Sequence, residues 1–323
     1  MIRSMYSGIS GMKTNQTKMD VIGNNIANAT TTAFKSGRVR FQDMFSQTEA
    51  RAQEPTVEGR GGVNPKQVGQ GVTIAAIDTI FENAPMSPTG RDLDLGIEGN
   101  GFFVVAENKP ADADEEPTLR YTRDGAFYKD KNGNLVTADG LRVMGWADIT
   151  GDDLTAHSKA DDGYYGPKDN ELVQLRIPDV LDNVAITDPD SDTEASEPAT
   201  GDTDVTKLET FYIDGNGLIT GVYDNGETYY LGRVAMAQFK NQEGLEKLGG
   251  NTYGVSRNSG DPDYGKPGTE GMGVIRQGNL EMSNVDLANE FTDMIVTSRA
   301  YQANSRIITT SDEMLQELVN LKR

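Results

Sequence analysis

Residues 285–323 read VDLANEFTDMIVTSRAYQANSRIITTSDEMLQELVNLKR, and apolar side chains recur along this stretch at alternating steps of three and four. The recurring positions are Leu287, Phe291, Met294, Ser298, Tyr301, Ser305, Ile308, Asp312, Leu315 and Val319, and seven of these ten are apolar or aromatic. A period of 3.5 residues is typical of a helix that packs along a narrow stripe against another helix. We expect Ser283 or Asn284 to cap this helix, with Asp286 and Glu290 in its first turns, where negative charge is favourable.

The first 28 residues have the same period. Six of eight positions are apolar in the series Ile2, Met5, Ile9, Met12, Gln16, Met19, Gly23 and Ile26. Such a stripe more often packs on the core of its own domain. Here both stripes are narrow and both are terminal, which favours a contact between the two helices. We call its apolar members the terminal seam and expect it to form subunit interfaces: Ile2, Met5, Ile9, Met12, Met19, Ile26, Leu287, Phe291, Met294, Tyr301, Ile308, Leu315 and Val319.

The middle of the chain predicts β-structure. Residues 71–146 and 206–284 contain short β-branched and aromatic runs separated by Asn-Gly, Asp-Gly and Gly-Asn turns, which are strong hairpin signals. Two segments, FYKDKNGNLVT (127–137) and FYIDGNGLIT (211–220), are near repeats and predict two similar hairpins. Residues 29–70 are predicted to form an extended linker. Residues 147–205 are predicted to be a short acidic insertion, solvent-facing over 183–205, with one strand near 171–178.

The predicted fold class is therefore mixed and mainly β. The N- and C-terminal α-helices, 1–28 and 285–323, pair into a coiled-coil-like domain, and antiparallel hairpins form a β-rich domain.

Composition excludes several classes of function. The chain has no Cys and one His, so disulfides, thiolate metal sites and multi-histidine sites are impossible. Its net charge of −20 argues against a nucleic-acid partner, and its apolar runs are too short for membrane insertion. The segment 130–141 begins like a calcium loop but has Leu135 where glycine and Leu141 where the final acid are needed. We predict no catalytic residue, no cofactor and no metal, although counting carboxylates leaves a glycosidase-like pair open.

The segment MDVIGNNIANATTTAFKSGRVRFQDMFSQ (19–47) resembles the start of the flagellar rod and hook family of axial proteins. The family motif is carried by Asn24, Asn25, Ile26, Ala27, Asn28, Phe34 and Lys35. The family usually has glycine at the position of Ala33. Further stretches that resemble the family are 64–81, 93–105, 121–146, 245–253 and 278–323.

The resemblance implies a structural subunit, not an enzyme, that forms a homopolymer through its terminal helices, with the β domain outside. GGVNPKQVGQGV (61–72) and DEMLQELVNLKR (312–323) resemble hook members more than distal rod members. The implied function is the subunit of the hook, a hollow flexible tube that transmits torque from rod to filament and serves as an export conduit. The implied partners are the distal rod protein, the hook cap and hook–filament junction proteins, and the flagellar type III export apparatus.

The implied location is extracellular, after export without a cleaved signal. The alternatives are a distal rod protein or, from a different class, a secreted β-rich adhesin or carbohydrate-active protein.

Overall fold

The computed structural model describes residues 2–53, 61–107, 117–147, 149–150, 153–154, 172–181, 206–269 and 271–321. The chain is mainly β with one long helix near each end, and it divides into two compact units. Unit 1 comprises residues 1–30, 35–80 and 285–323, and unit 2 comprises residues 31–34 and 81–284.

In its described part, unit 1 contains both helices and four strands. These are α1 (Ile2–Ala27), β1 (Gly37–Asp43), β2 (Ser46–Ala50), β3 (Lys66–Gly69), β4 (Val72–Thr79) and α2 (Leu287–Leu321). Strand β1 pairs antiparallel with β4, and β2 pairs antiparallel with β3. The stretch 29–70, predicted as an extended linker, thus contributes three strands. Strand β4, predicted to belong to the β-rich domain, lies in unit 1 because its backbone pairs with β1.

Helix α2 begins one residue after its cap. The Oδ1 atom of Asp286 accepts hydrogen bonds from the backbone N–H groups of Ala288, at 2.9 Å, and Asn289, at 3.3 Å. A cap residue satisfies the N–H groups two and three positions after it. The prediction of Ser283 or Asn284 as the cap is therefore wrong, because both residues precede the position from which these N–H groups can be reached.

Unit 2 contains twenty strands and one short 3₁₀-helix in its described part. The elements are β5 (Met86–Pro88), β6 (Leu95–Glu98), β7 (Phe102–Ala106), β8 (Leu119–Thr122), β9 (Tyr128–Lys129), β10 (Leu135–Val136), β11 (Arg142–Trp146), β12 (Ile149–Thr150), β13 (Asp153–Leu154), β14 (Val173–Gln174), β15 (Val180–Leu181), β16 (Thr206–Ile213), β17 (Leu218–Tyr223), β18 (Thr228–Val234), β19 (Met236–Gln238), the 3₁₀-helix (Gln242–Gly244), β20 (Glu246–Gly249), β21 (Thr252–Gly254), β22 (Asp263–Gly265), β23 (Val274–Gln277) and β24 (Asn279–Glu281).

Fourteen of these strands form one sheet. Its main order is β15-β16-β17-β18-β11-β7-β8-β21-β20, with β9, β10, β14, β19 and β22 attached to that path. Strands β6 and β23, β5 and β24, and β12 and β13 form separate antiparallel pairs. All the pairings are antiparallel, as expected for strands joined by short turns.

Strand β7 separates two hydrophobic cores. Phe103 and Val105 belong to one core, while Phe102, Val104 and Ala106 belong to the other. Because side chains alternate between the two faces of a strand, a strand covered on both faces must be apolar throughout. This explains the uninterrupted run FFVVA.

The two near-repeat segments form hairpin turns with the same hydrogen bonds. Gly133 N–H donates to Asp130 O, and Gly217 N–H donates to Asp214 O, at 2.8 Å in each case. Both glycines have a positive φ, 83° and 74°, which favours glycine at these positions. Both hairpins lie in the fourteen-stranded sheet.

Only parts of the predicted insertion 147–205 are described. Near 171–178 the regular strand is Val173–Gln174, and Arg176 forms a bridge with Asn134. His157 and residues 183–205 lie outside the described residues.

Candidate subunit interface

The two helices of unit 1 pack antiparallel along the length of α1. The contacts, in order along α1, are Ser4–Ser311, Gly8–Ile308, Gly11–Asn304, Lys18–Asp293 and Asn25–Glu290. The Ser4 and Ser311 hydroxyl oxygens are 3.4 Å apart, and Lys18 Nζ is 3.2 Å from Asp293 Oδ2. We call these residues of α2 and the buried Thr297 the pairing face of α2.

Glycine allows the close approach of the helices. A Cβ atom on Gly11 would lie 2.6 Å from Asn304 Nδ2, and one on Gly8 would lie 3.3 Å from Ile308 Cγ1. Helices approach closely where small residues face the partner, because no side chain separates the backbones. Gly23 is the contrast within α1, since a Cβ atom there would have nothing within 4 Å.

Asn25 joins three elements of unit 1. Its amide Nδ2 donates to Gly37 O and to Glu290 Oε1, each at 2.9 Å, and its Oδ1 accepts from Gly37 N–H at 3.0 Å. The side chain is buried, so these bonds satisfy a polar group that would otherwise be costly to desolvate. This family-motif residue thereby fixes the end of α1 against both the start of β1 and the first turn of α2.

The carboxyl group of Glu290 is partly desolvated at this junction. Burial is the largest cause that raises the pKa of Glu290, and the neighbouring Asp293 and Asp286 raise it further. The hydrogen bond from Asn25 and the charge of Lys18 act in the opposite direction but do not cancel the rise.

The residues of the terminal seam lie in different surroundings. Ile308 contacts α1, and Ile2 is the first residue of α1. Half-buried members are Met5, Met12, Met19, Ile26, Met294, Tyr301 and Leu315. Exposed members are Ile9, Leu287, Phe291 and Val319.

Sequence reasoning missed the small and polar residues that make the contact between the helices. The signal for them was the spacing of Ser4, Gly8 and Gly11, at steps of four and three, which is helical but not apolar.

Helix α2 leaves most of its surface uncovered. Thr297 and Ser311 are its only buried side chains among the described residues. Large apolar side chains such as Phe291, Ile295 and Val296 are 50%, 63% and 59% exposed. A soluble monomer rarely exposes a contiguous set of such residues, and interaction surfaces commonly do. The arrangement has the character of an interaction surface.

Ala33 and the motif residues Phe34 and Lys35 have distinct local surroundings. Ala33 has φ 55°, and its N–H donates to Glu281 O at 2.9 Å. That left-handed conformation explains why glycine is usual at this position. Lys247 Nζ lies 5.2 Å from the centre of the Phe34 ring, within cation–π range. In unit 1, Lys35 is fully buried.

Unit 2 contains a buried ion pair within two of the family-like segments. Arg123 and Glu281 are both inaccessible to solvent. Arg123 also donates to the carbonyl oxygens of Gly101, at 3.0 Å, and Gly99, while Ala84 N–H donates to Glu281 Oε1 at 3.2 Å. The pair is thus surrounded by hydrogen bonds, as a buried ion pair requires.

The described residues contain no group of three or more His, Asp or Glu side chains placed to hold a metal ion. Neither α1 nor α2 combines the length and the apolarity that crossing a membrane requires.

Comparison with known proteins gives three family matches. Residues 5–35 match "Flagella basal body rod protein", residues 96–189 match "Flagellar hook protein FlgE/F/G D1 domain", and residues 276–321 match "Flagellar basal body rod FlgEFG protein C-terminal".

Full-length relatives carry both hook and rod names. The chain is 41% identical over 326 aligned positions to the flagellar basal-body rod protein FlgG of Bacillus subtilis, with 100% of each chain covered. It is 34% identical over 450 positions to the flagellar hook protein FlgE of Borreliella burgdorferi, again covering 100% of each. It is 34% identical over 324 positions to the basal-body rod protein FlgG of the same organism, with the same coverage.

Proposed function

The chain belongs to the flagellar hook and basal-body rod protein family, and on that premise we propose that it is the subunit of the hook. Members of this family are structural proteins of the flagellum, so the chain is a flagellar axial structural protein and not an enzyme. In the proposed role, copies polymerise into a hollow, bendable tube that transmits torque from rod to filament and conducts exported subunits.

The main observation that supports the polymer role is that α2 exposes many apolar side chains to solvent. Its main packing partner within the described chain is α1, and apolar side chains remain exposed at both its ends, from Leu287 to Leu321. Burying apolar surface contributes about 25 cal/mol per Å², so covering α2 with neighbouring copies would stabilise the tube relative to the separate subunit.

Two features support the role of hook subunit over the other roles found in this family. The segments 61–72 and 312–323 resemble hook members. Met5, Met12, Met19 and Met294 are half-buried on the helix pair, and methionine is flexible and repacks at low cost. An interface that must slide between compressed and extended states as the tube bends benefits from such side chains.

The second candidate is the role of distal rod subunit, and the lengths of the alignments favour it. The 323 residues align with the rod proteins of two organisms over 326 and 324 positions. Alignment with the hook protein of Borreliella burgdorferi takes 450 positions, so that relative contains segments for which this chain has no counterpart.

Antibody labelling of isolated hook–basal bodies distinguishes the two candidates. Label along the curved segment outside the cell envelope is expected, whereas label confined to the straight rod would establish the second candidate. A variant that lacks residues 285–323 should be absent from both the curved segment and the rod. In the hook, replacing Met5, Met12, Met19 and Met294 with leucine should stiffen the tube, and unchanged bending stiffness would contradict the role of methionine.

The proposal also covers the proteins that adjoin the hook subunit in the flagellum and the route by which the subunit is exported. The hook subunit meets the distal rod protein at one end and the cap and junction proteins at the other. It passes through the type III export apparatus without losing an N-terminal signal. Mass spectrometry of the assembled subunit tests this last point, because cleavage within α1 would contradict it.

A further inference from the structure

Four residues of the loop between α1 and β1 are grouped with unit 2 by their contacts. They are residues 31–34, which we call the strap, and residues 30 and 35 on either side of them belong to unit 1. The base of this loop is fixed within unit 1, because the side chain of Asn25 bonds both the C=O and the N–H of Gly37, at 2.9 and 3.0 Å. The strap is therefore the tip of a loop whose base is held independently of it.

The strap is held by little apolar burial and by some long hydrogen bonds. Among its four side chains only that of Ala33 is buried, and a methyl group contributes little apolar surface. Thr32 Oγ1 donates to Asp124 Oδ1 at 3.3 Å, and Asn284 N–H donates to Phe34 O at 3.4 Å. Both distances exceed the usual range for their kind of bond, so these contacts stabilise the docked strap only weakly.

Backbone strain is concentrated at the strap. Ala33 and Asn251, with φ 55° and 56°, are the non-glycine residues of the described chain that have a positive φ. They adjoin one contact, because Asn251 Nδ2 donates at 3.1 Å to the carbonyl oxygen of Thr32, the residue before Ala33. Strain of this kind costs free energy and is common at segments that switch between conformations. It opposes the hydrogen bond from Ala33 N–H to Glu281 O, which at 2.9 Å has a favourable length.

The carboxyl group of Asp124 is incompletely compensated for the water it has lost. Burial is the largest cause that raises the pKa of Asp124, and hydrogen bonds from Ala126, Thr32 and Asn251 lower the pKa without cancelling the rise. Burial raises a carboxyl pKa because it disfavours the charged form. Docking of the strap against this group therefore has an opposing cost, which brings the docked and released states closer in free energy.

We propose that the strap releases from unit 2 and returns to it while both units stay folded. In the docked state the backbone passes between the units at residues 30–31, 34–35, 80–81 and 284–285. In the released state only the last two connections remain, and the loop stays fixed at its base by Asn25 and Gly37. This conformational change is a property of the single subunit, so it goes beyond the proposed function and applies to a hook or a rod subunit alike.

Amide hydrogen exchange of the full-length chain, resolved to single residues, tests this proposal. The matched reporters are Ala33 N–H, bonded to Glu281 O at 2.9 Å, and Leu95 N–H, bonded to Gly125 O at 3.0 Å. Both residues are buried, with exposed fractions of 2% and 1%. The protection factor of Ala33 should be at least about 100-fold below that of Leu95, because local opening requires less free energy than unfolding of the unit. Equal protection at the two residues would overturn the proposal.

A single substitution should weaken docking without changing the core of unit 2. Thr32→Val keeps the shape of the side chain and removes the hydroxyl that donates to Asp124. The protection factor of Ala33 should fall about threefold to tenfold, while that of Leu95 stays unchanged. The control, Thr269→Val, removes a hydroxyl that donates to a backbone oxygen at 2.8 Å outside the strap, and should leave both reporters unchanged. An equal fall at both reporters in Thr32→Val, or no fall at either, would overturn the proposal.

Release of the strap also has a consequence that rests on the proposed function. With fewer backbone connections between its units the subunit should yield more easily, so tubes of Thr32→Val should bend more readily than tubes of Thr269→Val. Equal bending stiffness of the two would overturn this consequence. If the wild-type chain forms no tube, the proposed function fails, whereas the exchange comparison between Ala33 and Leu95 still decides whether the strap releases.

Discussion

Arg123 Nη1 lies 3.1 Å from each carboxylate oxygen of Glu281, and the two residues are 158 positions apart in the chain. Strand β24, which ends at Glu281, is thereby joined to the residue that follows β8. Because both side chains are inaccessible, each is the main compensation for the buried charge of the other.

Replacing one member of this pair should be strongly destabilising. Arg123→Met leaves a buried carboxylate without its cation, and we expect the free energy of unfolding in urea to fall by about 3–5 kcal/mol. The double replacement Arg123→Met with Glu281→Met should recover much of the loss, because no charge is then buried alone. Arg276→Met removes an exposed pair with Glu98 and serves as the control, with an expected loss of at most about 1 kcal/mol. Equal losses at the two sites would contradict this interpretation.

Ala33→Gly should stabilise the protein. Alanine at φ 55° is strained by about 1–2 kcal/mol, which glycine avoids. Glycine loses part of this gain because its unfolded state is more flexible. We expect a net gain of roughly 0.5–1 kcal/mol in urea unfolding. Ala126→Gly, in the same unit at a residue without a positive φ, is the control and should be destabilising. A loss of stability at both positions would show that Ala33 is unstrained.

The glycine at position 11 should be essential for pairing of the helices, and that at position 23 should not. Gly11→Leu forces Asn304 away, whereas Gly23→Leu extends into open space and raises helix propensity by up to about 1 kcal/mol. We expect Gly11→Leu to be lost from assembled flagella and Gly23→Leu to be retained, as measured by immunoblot of purified assemblies. Equal incorporation of the two variants would mean that the close approach at Gly11 is not needed.

The stability of the polymer should depend on Glu290 through pH. Because the pKa of Glu290 is raised in the paired helices, the paired state binds its proton more tightly than the separated state. Its contribution is therefore favourable at low pH and is lost as pH rises through the pKa of the paired state. Glu290→Gln keeps an acceptor for Asn25 and removes the charge. Its polymer should melt at or above the wild-type temperature at pH 7, with the difference shrinking toward pH 4.

Glu209→Gln, an exposed change in unit 2, is the control for the loss of one negative charge. If this variant reproduces the pH profile of Glu290→Gln, the effect comes from net charge and not from the junction at Asn25.

Both helices should be disordered in the dilute monomer and ordered in the polymer. Fixing the backbone costs about 1–2 kcal/mol per residue, isolated helices are marginal in water, and α2 buries only Thr297 and Ser311 among its described side chains. Limited proteolysis should therefore trim residues 1–28 and 285–323 from the monomer but not from the polymer. The trimmed chain should remain folded and β-rich but unable to polymerise. Helical, protease-resistant ends in a verified monomer would contradict this expectation.

Local patterns in the sequence determine much of this protein. The 3.5-residue period predicted both helices, because periodicity reflects which residues share a helix face. Asn-Gly and Asp-Gly turns predicted the antiparallel β-structure, because positive φ is required at such turns. The motif from Asn24 to Lys35 indicated the family, which the comparisons confirm.

Only the tertiary structure decided which helix faces meet and which distant residues pair. The period of a stripe does not specify its partner, and α2 carries more than one stripe with helical spacing. The close contact formed where Gly8 and Gly11 lack side chains, because backbone separation depends on volume as well as on hydrophobicity. The partnership of Asn25 with Gly37 and Glu290, and of Arg123 with Glu281, depends on long-range proximity that no local pattern encodes.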